Sequence, residues 1–414
     1  MSDIKLSICI PTYNRAIYLR HALEHCENLN LDFPYEIVIS DNASTDDTTK
    51  VVSEFQARGL PIQYYRRAVN GGSGPNLTCA FRQAVGEFLI YLADDDLLVP
   101  QNLKVAMQYL EANTDVVACY APWTIYDEIE DRDVFQFYRV AENTKFPQRS
   151  FSDLFDFLFK GHVFPEIGIY RASALRSAWV PRDFCFWAFS YLAHFLDQGS
   201  VAFLQEPFYR SVSISKVKSD RKQAGHDDVM TAWDKYRGGL EYFLYVGRRR
   251  GQISTAPEVR ILHDEMCKIF TLNRMVIAMR FWAGRKDFIK AYELYTRLAL
   301  GGLAEHPEVV ELTQNLTLFV SAQTLVYHVN SVAGIERLIV NGVEAPEPLE
   351  DLLRNLGLSP QIEVVTDTEP LGSISAETTA VFAADAAARE KFLQLGFKSN
   401  LILMEEELTR HILL

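Results

Sequence analysis

The chain has 414 residues and a formal charge of −13, which argues against a general nucleic-acid binder because phosphate backbones require clustered Lys and Arg. Hydrophobic residues make up 48% and charged residues 23%, as in an ordinary soluble protein, and the length predicts two or three domains. Six scattered cysteines without CxxC spacing favour reduced thiols over a disulfide or zinc framework. We find no signal-peptide pattern and no apolar run of about 18 residues. We therefore expect a cytoplasmic protein, with peripheral attachment to the inner face of a membrane as the alternative.

Short apolar runs and amphipathic segments alternate over the first part of the chain. The predicted strands are Leu6–Ile10, Tyr35–Ser40 and Ile62–Tyr65, and the predicted helices are 16–26, 48–58 and a segment from the Asn70-Gly71-Gly72 turn to residue 84. This regular order of strand and helix predicts a parallel α/β sheet.

An acidic triplet follows the next predicted strand. Phe88–Leu92 is a continuous apolar run, typical of a strand that is buried on both faces, and Asp94, Asp95 and Asp96 come just after it. Adjacent carboxylates repel one another, so a fold tolerates them more easily when they share a cation such as Mg²⁺ or Mn²⁺. Ligands of open α/β sheets also bind beyond the carboxyl ends of strands. The alternative is a solvated turn in which Asp96 helps to cap a helix opened by Pro100.

Four motifs in a fixed order carry a resemblance. They are Pro11-Thr12-Tyr13-Asn14-Arg15, the polar segment that begins with Asp41-Asn42, Asn70-Gly71-Gly72, and the acidic triplet. In this order and spacing they resemble the family 2 glycosyltransferases of the GT-A fold, in which the triplet matches the DXD motif. The resemblance implies an inverting transfer of a sugar from a nucleoside diphosphate donor, commonly a UDP-sugar. A divalent ion, Mn²⁺ or Mg²⁺, assists by neutralising the charge that develops on the diphosphate.

The resemblance also assigns roles to individual residues. Pro11, Thr12 and Tyr13 match the loop that lies against the nucleoside, Asp41 matches the acid that binds the base, Asp94 and Asp95 match positions near the ribose and phosphates, and Asp96 matches the metal ligand. Arg15, Arg66 and Asn70 join the nucleotide-sugar site, with Arg67 as the alternative to Arg66. The alternative for Asp41 is a helix cap or an Asx-turn residue.

An inverting transferase needs a general base for the acceptor hydroxyl. The closest match to the family's acidic position is Asp183, although Arg182 stands where a second acid is expected and would lower the pKa of Asp183. Glu166 and Asp197 are the competing acids. The alternative for Asp183 is the N-cap of a helix that runs through Leu196.

The remainder of the chain changes character twice. Ser211–Gly225 is polar and basic, with Lys216 and Lys218, and is predicted to be a mobile loop over the donor or a plain linker. Helices are predicted at 228–250, 257–283, 285–300 and 307–315. Further on, strands are predicted at Leu325–Val329, Arg337–Val340, Ile362–Val365, Ala380–Phe382 and Leu401–Met404, with helices at 348–356 and 384–395. These alternating elements resemble a small Rossmann-like module, to which we assign no chemistry.

The prediction is an α/β protein of three domains: a GT-A catalytic domain over 1–215, a helical domain over 216–316 and a small α/β domain over 317–414. The predicted function is transfer of a sugar to a hydroxyl of a glycan or lipid-linked acceptor, in surface polysaccharide assembly. The predicted partners are the nucleotide sugar, the acceptor and a second copy of the chain, bound through the helical or C-terminal region. The alternatives are a sugar nucleotidyltransferase, which usually has a glycine-rich loop after its first strand, and a non-catalytic sugar-nucleotide-binding scaffold.

Overall fold

The apolar runs near the N-terminus form parallel strands, as predicted. The computed structural model describes residues 4–181, 183–218, 230–342, 346–366 and 375–414. Its first elements are β1 (Leu6–Thr12), α1 (Ala16–Cys26), β2 (Tyr35–Asp41), α2 (Thr48–Ala57), β3 (Ile62–Arg66), α3 (Ser73–Gln83) and β4 (Phe88–Tyr91). The four strands are parallel neighbours in the order β3-β2-β1-β4. Their carboxyl ends therefore meet at one edge of the sheet.

Shorter elements extend this sheet and add a second one. They are β5 (Leu97–Leu98), α4 (Pro100–Ala112), β6 (Val116–Tyr120), β7 (Trp123–Asp127), β8 (Arg132–Gln136), β9 (Thr144–Phe146), α5 (Phe151–Gly161), β10 (Gly168–Arg171), α6 (Ala172–Ala178), α7 (Trp187–Gln198), β11 (Ser200–Phe203) and β12 (Tyr209–Ile214). The large sheet continues from β4 as β10-β6-β11-β9, and it is mixed because β10 is antiparallel to both of its neighbours. The second sheet has the order β5-β12-β7-β8.

The core of the large sheet explains why its strands read as continuous apolar runs. Ile8 of β1 is the register partner of Ile37 in β2 and of Ile90 in β4, and all three side chains are fully buried. Strands of a parallel sheet are covered on both faces, so alternation with polar residues is not required. Burying each such side chain contributes about 1.5–3 kcal/mol.

Helices follow the two sheets, close to the predicted positions. They are α8 (Trp233–Arg249), α9 (Pro257–Gly284), α10 (Phe288–Leu300), α11 (Pro307–Thr313) and α12 (Leu316–Ser331). The strand predicted at Leu325–Val329 is wrong, because these residues lie inside α12. A short apolar run does not by itself distinguish a buried strand from a buried helix. Val320, Leu325, Val326 and Val329 are buried at helical spacing, which settles the question in favour of the helix.

The C-terminal elements form the small α/β module that was predicted. They are β13 (Arg337–Val340), α13 (Pro346–Asn355), β14 (Glu363–Thr366), β15 (Thr379–Ala383), α14 (Ala386–Gln394), β16 (Ile402–Met404) and α15 (Glu405–Thr409). The strands form a parallel sheet in the order β14-β13-β15-β16. Leu338 and Val340 on one side and Ile339 and Val381 on the other are buried in separate apolar clusters.

The chain divides into two compact units. The first unit comprises Met1–Ala224 with Asp234–Phe270, and the second comprises Gly225–Trp233 with Thr271–Leu414. In the first unit, Phe164 packs against Phe189 of α7, Tyr236 of α8 and Phe270 of α9, with ring centroids 5.3–5.6 Å apart. In the second unit, Met275 and Met279 of α9 are buried against α10 and α11. Within the described residues no helix is long and apolar enough to cross a membrane, and all six cysteines are free thiols.

Candidate active site at the carboxyl ends of the strands

The loops that follow β1 and β2 are fastened to each other. Thr12 and Asp41, the last residues of these strands, are register partners. Asn14 has a positive φ of 53°, which turns the first loop toward the second. Its backbone N–H donates to Ser44 Oγ over 2.9 Å, and its Oδ1 accepts from the Thr45 N–H over 2.7 Å. The two predicted motifs therefore form one surface at the edge of the sheet.

Asp94 and Asp95 contact residues of the first loop. The two carboxylates are 6% and 9% exposed. Thr12 Oγ1 donates to Asp94 Oδ2 over 2.7 Å, and Arg15 Nε donates to Asp94 Oδ1 over 2.8 Å. Arg15 Nη2 also pairs with Asp95 Oδ2. Burial raises the pKa of Asp94 to about 6, and the neighbouring Arg15 guanidinium opposes that rise.

Asp96 is held from a different direction, by β12. The Tyr209 hydroxyl donates to Asp96 Oδ2 over 2.9 Å, and the Val212 N–H donates to Asp96 Oδ1 over 2.9 Å. The same hydroxyl accepts a hydrogen bond from the Ala93 N–H over 3.1 Å. Burial, followed by the charge of Asp96, raises the pKa of Tyr209 well above its usual value, so it stays a donor. The capping alternative for Asp96 is wrong, because the N-cap of α4 is Val99; Pro100 does open this helix.

The donor set of this corner fits a divalent cation that shares its coordination with a ligand. Within the described part of the chain, no group of three or more His, Cys, Asp or Glu side chains is arranged to hold a metal ion. A carboxylate has about four acceptor sites, so the hydrogen bonds from Tyr209 and Val212 do not prevent Asp96 from binding a metal. Mg²⁺ usually binds through one or two carboxylates and takes its other ligands from phosphates and water. The arrangement fits such an ion only with the help of phosphate oxygens.

Asp41 lies at the end of β2 with its side chain fully buried. Its Oδ2 accepts from the Tyr64 hydroxyl over 2.6 Å and lies 3.5 Å from Arg66 Nε. Its Oδ1 accepts from the Ser44 N–H over 2.8 Å, which is the Asx-turn contact that we considered as the alternative role. It is not the cap of α2, whose N-cap is Asp47. Burial and the hydrogen bond to Asp41 raise the pKa of Tyr64 to about 12.

Arg66 and Arg67, which the sequence could not separate, have different surroundings. Arg66 lies beside Asp41 and donates to the Ser44 carbonyl over 2.8 Å. Arg67 donates to Asn42 Oδ1 over 2.8 Å, and Asn42 Nδ2 donates to Asn70 Oδ1 over 2.8 Å. Arg66 and Asn70 therefore both contact the loop that follows β2. The other predicted residues of the first loop, Pro11 and Tyr13, are partly buried and 41% exposed, respectively.

The candidate bases differ in their surroundings. Asp183 is exposed and precedes α7, but it does not cap that helix, because the N-cap is Phe186. Arg182 lies outside the described residues. Glu166 is partly buried before β10. Asp197 is 12% exposed and pairs with Arg149 and Arg250, which is the environment of a structural carboxylate. The role of Asp183 stays a prediction.

The segment predicted as a loop from Ser211 begins as a strand. Ser211 and Val212 pair with β7, and β12 ends only at Ile214. Beyond it, Glu128 accepts from Ser215 Oγ over 2.9 Å and from the Lys216 N–H over 3.1 Å, and it also pairs with His21 of α1. Residues 219–225 of the predicted loop lie outside the described residues. These contacts were not predicted, because the partners lie far apart in the sequence.

The mixed α/β sheet, with a buried acidic triplet and two cross-linked loops at one edge, has the architecture of an α/β domain of the GT-A type. Residues 7–177 match the family model described as Glycosyl transferase family 2. Over this part of the chain, the family and fold predicted from the four motifs are confirmed.

Three curated relatives each match between a quarter and a third of the chain. Abequosyltransferase RfbV of Salmonella typhimurium is 36% identical over 132 residues, and a GalNAc(5)-diNAcBac-PP-undecaprenol beta-1,3-glucosyltransferase of Campylobacter jejuni is 37% identical over 109 residues. The poly(ribitol-phosphate) beta-N-acetylglucosaminyltransferase TarS of Staphylococcus aureus is 32% identical over 119 residues. These alignments cover 31%, 25% and 28% of this chain, and 39%, 34% and 20% of the relatives.

Two solved structures are similar over a larger part of the chain. S. aureus TarS 1-349 in complex with UDP-GlcNAc has 18% identity and a TM-score of 0.47, covering 78% of this chain and 86% of that one. The mannosyltransferase PcManGT from Pyrobaculum calidifontis, in complex with GDP-Man and Mn²⁺, has 18% identity and a TM-score of 0.43, covering 77% and 86%.

Proposed function

We propose that the protein is an inverting glycosyltransferase that uses a nucleoside diphosphate sugar and a divalent cation. A UDP-sugar is the first donor to test. Its acceptor is a hydroxyl of a glycan or lipid-linked glycoconjugate, in the assembly of a surface polysaccharide. One observation carries the proposal: a buried acidic triplet lies against the loop after β1, with Thr12 and Arg15 in contact with Asp94. Relatives named as sugar transferases support the reaction class.

The strand-end loops supply recognition of the donor. Asp41, oriented by Tyr64 and flanked by Arg66, is the acceptor for an N–H of the base. Arg15 can donate through its planar guanidinium to phosphate oxygens, a geometry that suits bidentate binding. Asp96, with Asp94 and Asp95 beside it, would hold the cation, which neutralises charge on the departing diphosphate. Tyr209 keeps the carboxylate of Asp96 in one orientation.

The transfer step needs a base on the acceptor side. Asp183 takes the proton from the acceptor hydroxyl as its oxygen forms a bond to the anomeric carbon of the donor. The bond from that carbon to the diphosphate oxygen breaks on the opposite face, and the nucleoside diphosphate leaves with the electron pair. Inversion at the anomeric carbon follows from this single displacement. Glu166 is the alternative base.

Slow hydrolysis of the donor in the absence of an acceptor tests the proposal. The protein is incubated with Mn²⁺ and a panel of UDP-, GDP- and dTDP-linked sugars, and the release of nucleoside diphosphate is followed by chromatography. We expect release from donors of one base only, and its loss in EDTA and in Asp96→Ala. Glu142→Gln, which changes an exposed carboxylate before β9, is the matched control and should retain the rate. Release that continues in EDTA and in Asp96→Ala would contradict the metal assignment.

A further inference from the structure

The acidic triplet already has a positive charge in contact with it. Asp94, Asp95 and Asp96 are 6–9% exposed, so their mutual repulsion is poorly screened by water. Arg15 offsets this repulsion by contacting two of the acids: its Nε donates to Asp94 Oδ1 over 2.8 Å, and its Nη2 pairs with Asp95 Oδ2. Removing one partner from such a buried pair is strongly unfavourable, because it leaves an uncompensated charge. Arg15 therefore stabilises the triplet in the protein without a ligand.

Arg15 is held in place and is also within reach of a ligand. Its guanidinium lies 4.4 Å from the centroid of the Tyr18 ring, which supports its flat face. Its side chain is 25% exposed, against 8% for the carboxylates that it contacts. It lines a cavity of about 520 Å³, together with the basic residues Arg20, Lys50 and Lys218 and the acids Asp46 and Asp47. Basic side chains outnumber acidic ones in this lining, so the cavity suits an anion such as a diphosphate.

We propose that Arg15 is the resident counter-ion of Asp94 and Asp95, and that a divalent cation binds tightly at the triplet only when a nucleoside diphosphate binds too and takes over the guanidinium. The inference rests on the proposed function. A divalent ion that arrives alone meets both the carboxylates and the fixed positive charge of Arg15, which repels it. A diphosphate removes that repulsion by pairing with Arg15 and supplies oxygen ligands to the ion. Cation and nucleotide therefore raise each other's affinity by the same factor.

Binding of Mn²⁺ alone, with no nucleotide present, tests the competition. The free ion is measured by electron paramagnetic resonance in titrations of the wild type, Arg15→Gln and Arg20→Gln. Arg20 is the matched control, because it lies in α1, whose N-cap is Arg15, and lines the same cavity but pairs with Glu54. We expect Arg15→Gln to bind Mn²⁺ at least about tenfold more tightly than the wild type, a change of about 1.4 kcal/mol, and Arg20→Gln to stay within about twofold.

Addition of UDP tests the second half of the proposal. UDP should raise the affinity of the wild type for Mn²⁺, and it should do so by a smaller factor in Arg15→Gln, which has no repulsion left to relieve. If Arg15→Gln is unstable by itself, its melting temperature should rise with Mn²⁺ by more than that of the wild type. If Arg15→Gln does not fold even with Mn²⁺, Arg15→Lys is tested in its place. An ammonium contacts one carboxylate at a time, so Arg15→Lys should also bind Mn²⁺ more tightly than the wild type does.

The outcomes separate this inference from the proposed function. Equal or weaker binding of Mn²⁺ by Arg15→Gln compared with Arg20→Gln, or no binding by any variant, overturns the counter-ion role. If Arg15→Gln does not fold, the counter-ion role is overturned when Arg15→Lys binds Mn²⁺ no more tightly than the wild type. If UDP binds to none of the proteins, the proposed function fails, while the titrations without nucleotide still decide whether Arg15 competes with the cation.

Discussion

Replacement of Tyr209 by phenylalanine should destabilise the acidic corner without altering the shape of the core. The Tyr209 side chain is 1% exposed, and its hydroxyl makes two hydrogen bonds, one to Asp96 Oδ2 over 2.9 Å and one from the Ala93 N–H over 3.1 Å. Phenylalanine fills the same volume but makes neither bond. The buried carboxylate then lacks one donor, and the amide of Ala93 loses its acceptor.

The size of the effect follows from these two contacts. A hydrogen bond to a charged group contributes about 1.5–3 kcal/mol, and a partly buried N–H left without an acceptor costs about 1 kcal/mol. We therefore expect Tyr209→Phe to lower the free energy of unfolding by about 2.5–4 kcal/mol. In a protein of this size the melting temperature should fall by about 3–5 °C. Urea denaturation followed by circular dichroism, together with thermal denaturation, measures both quantities.

Tyr126→Phe is the matched control. Tyr126 lies on the neighbouring strand β7, and its hydroxyl donates to Asp131, which is exposed. Loss of a contact to an exposed carboxylate should cost less than about 1 kcal/mol. A second measurement is the affinity for Mn²⁺ in the presence of UDP, which should fall by about 10–100-fold in Tyr209→Phe, as for other residues that orient a metal ligand. If Tyr209→Phe were no less stable than Tyr126→Phe, the reasoning about Asp96 would be refuted.

Three further predictions concern the base, the nucleotide and pH. Asp183→Asn should lower kcat by roughly 10²–10⁴ while calorimetric affinities for UDP and Mn²⁺ stay unchanged, and a normal kcat would make Glu166→Gln the next variant to assay. Asp41→Asn should weaken binding of UDP about tenfold in calorimetry, the effect of one lost hydrogen bond, whereas equal affinity would leave Asp41 with its turn role alone. The hydrogen bond to Glu128 raises the pKa of His21; burial alone would raise the pKa of Glu128, but hydrogen bonds led by that from His21 lower it. The stability that the pair adds is therefore complete only between about pH 5 and 6.5, and it is lost as pH rises through the raised pKa of His21. The difference in unfolding free energy between wild type and Glu128→Gln should be about 1–3 kcal/mol in that window and shrink as pH rises through the raised pKa of His21. A pH-independent difference would contradict this assignment.

The elements that the sequence predicts well are those whose signal is local. The strand Phe88–Tyr91 and the acids that follow it are adjacent in the chain, so the place of the triplet at a strand end could be read directly. The helix Phe151–Gly161 was missed although Phe151, Leu154, Phe155 and Leu158 are buried at helical spacing. Residues 127–150, just before this helix, are polar and aromatic without a regular period, so no helix was predicted in this region.

What could not be predicted depends on contacts between distant parts of the chain. Tyr64 lies on β3 and contacts Asp41 on the adjacent strand β2, and nothing in the sequence around either residue indicates the other as its partner. Arg66 and Arg67 are adjacent, and only the direction of each side chain separates their surroundings. His21 and Glu128 are 107 positions apart, and no periodicity links them.

The hydrogen bonds from β12 to Asp96 can form only after a much later part of the chain has been synthesised. They join residues 113 and 116 positions apart, and both donors lie beyond residue 177, where the family match ends. At about 5–20 residues per second, the ribosome makes Asp96 roughly 6–20 s before Tyr209. During this interval the nascent chain holds the aspartate without either donor. A fragment cut at residue 177 would remain permanently in this incomplete condition, so it is not a minimal folding unit, and expression of the domain should extend past Ile214.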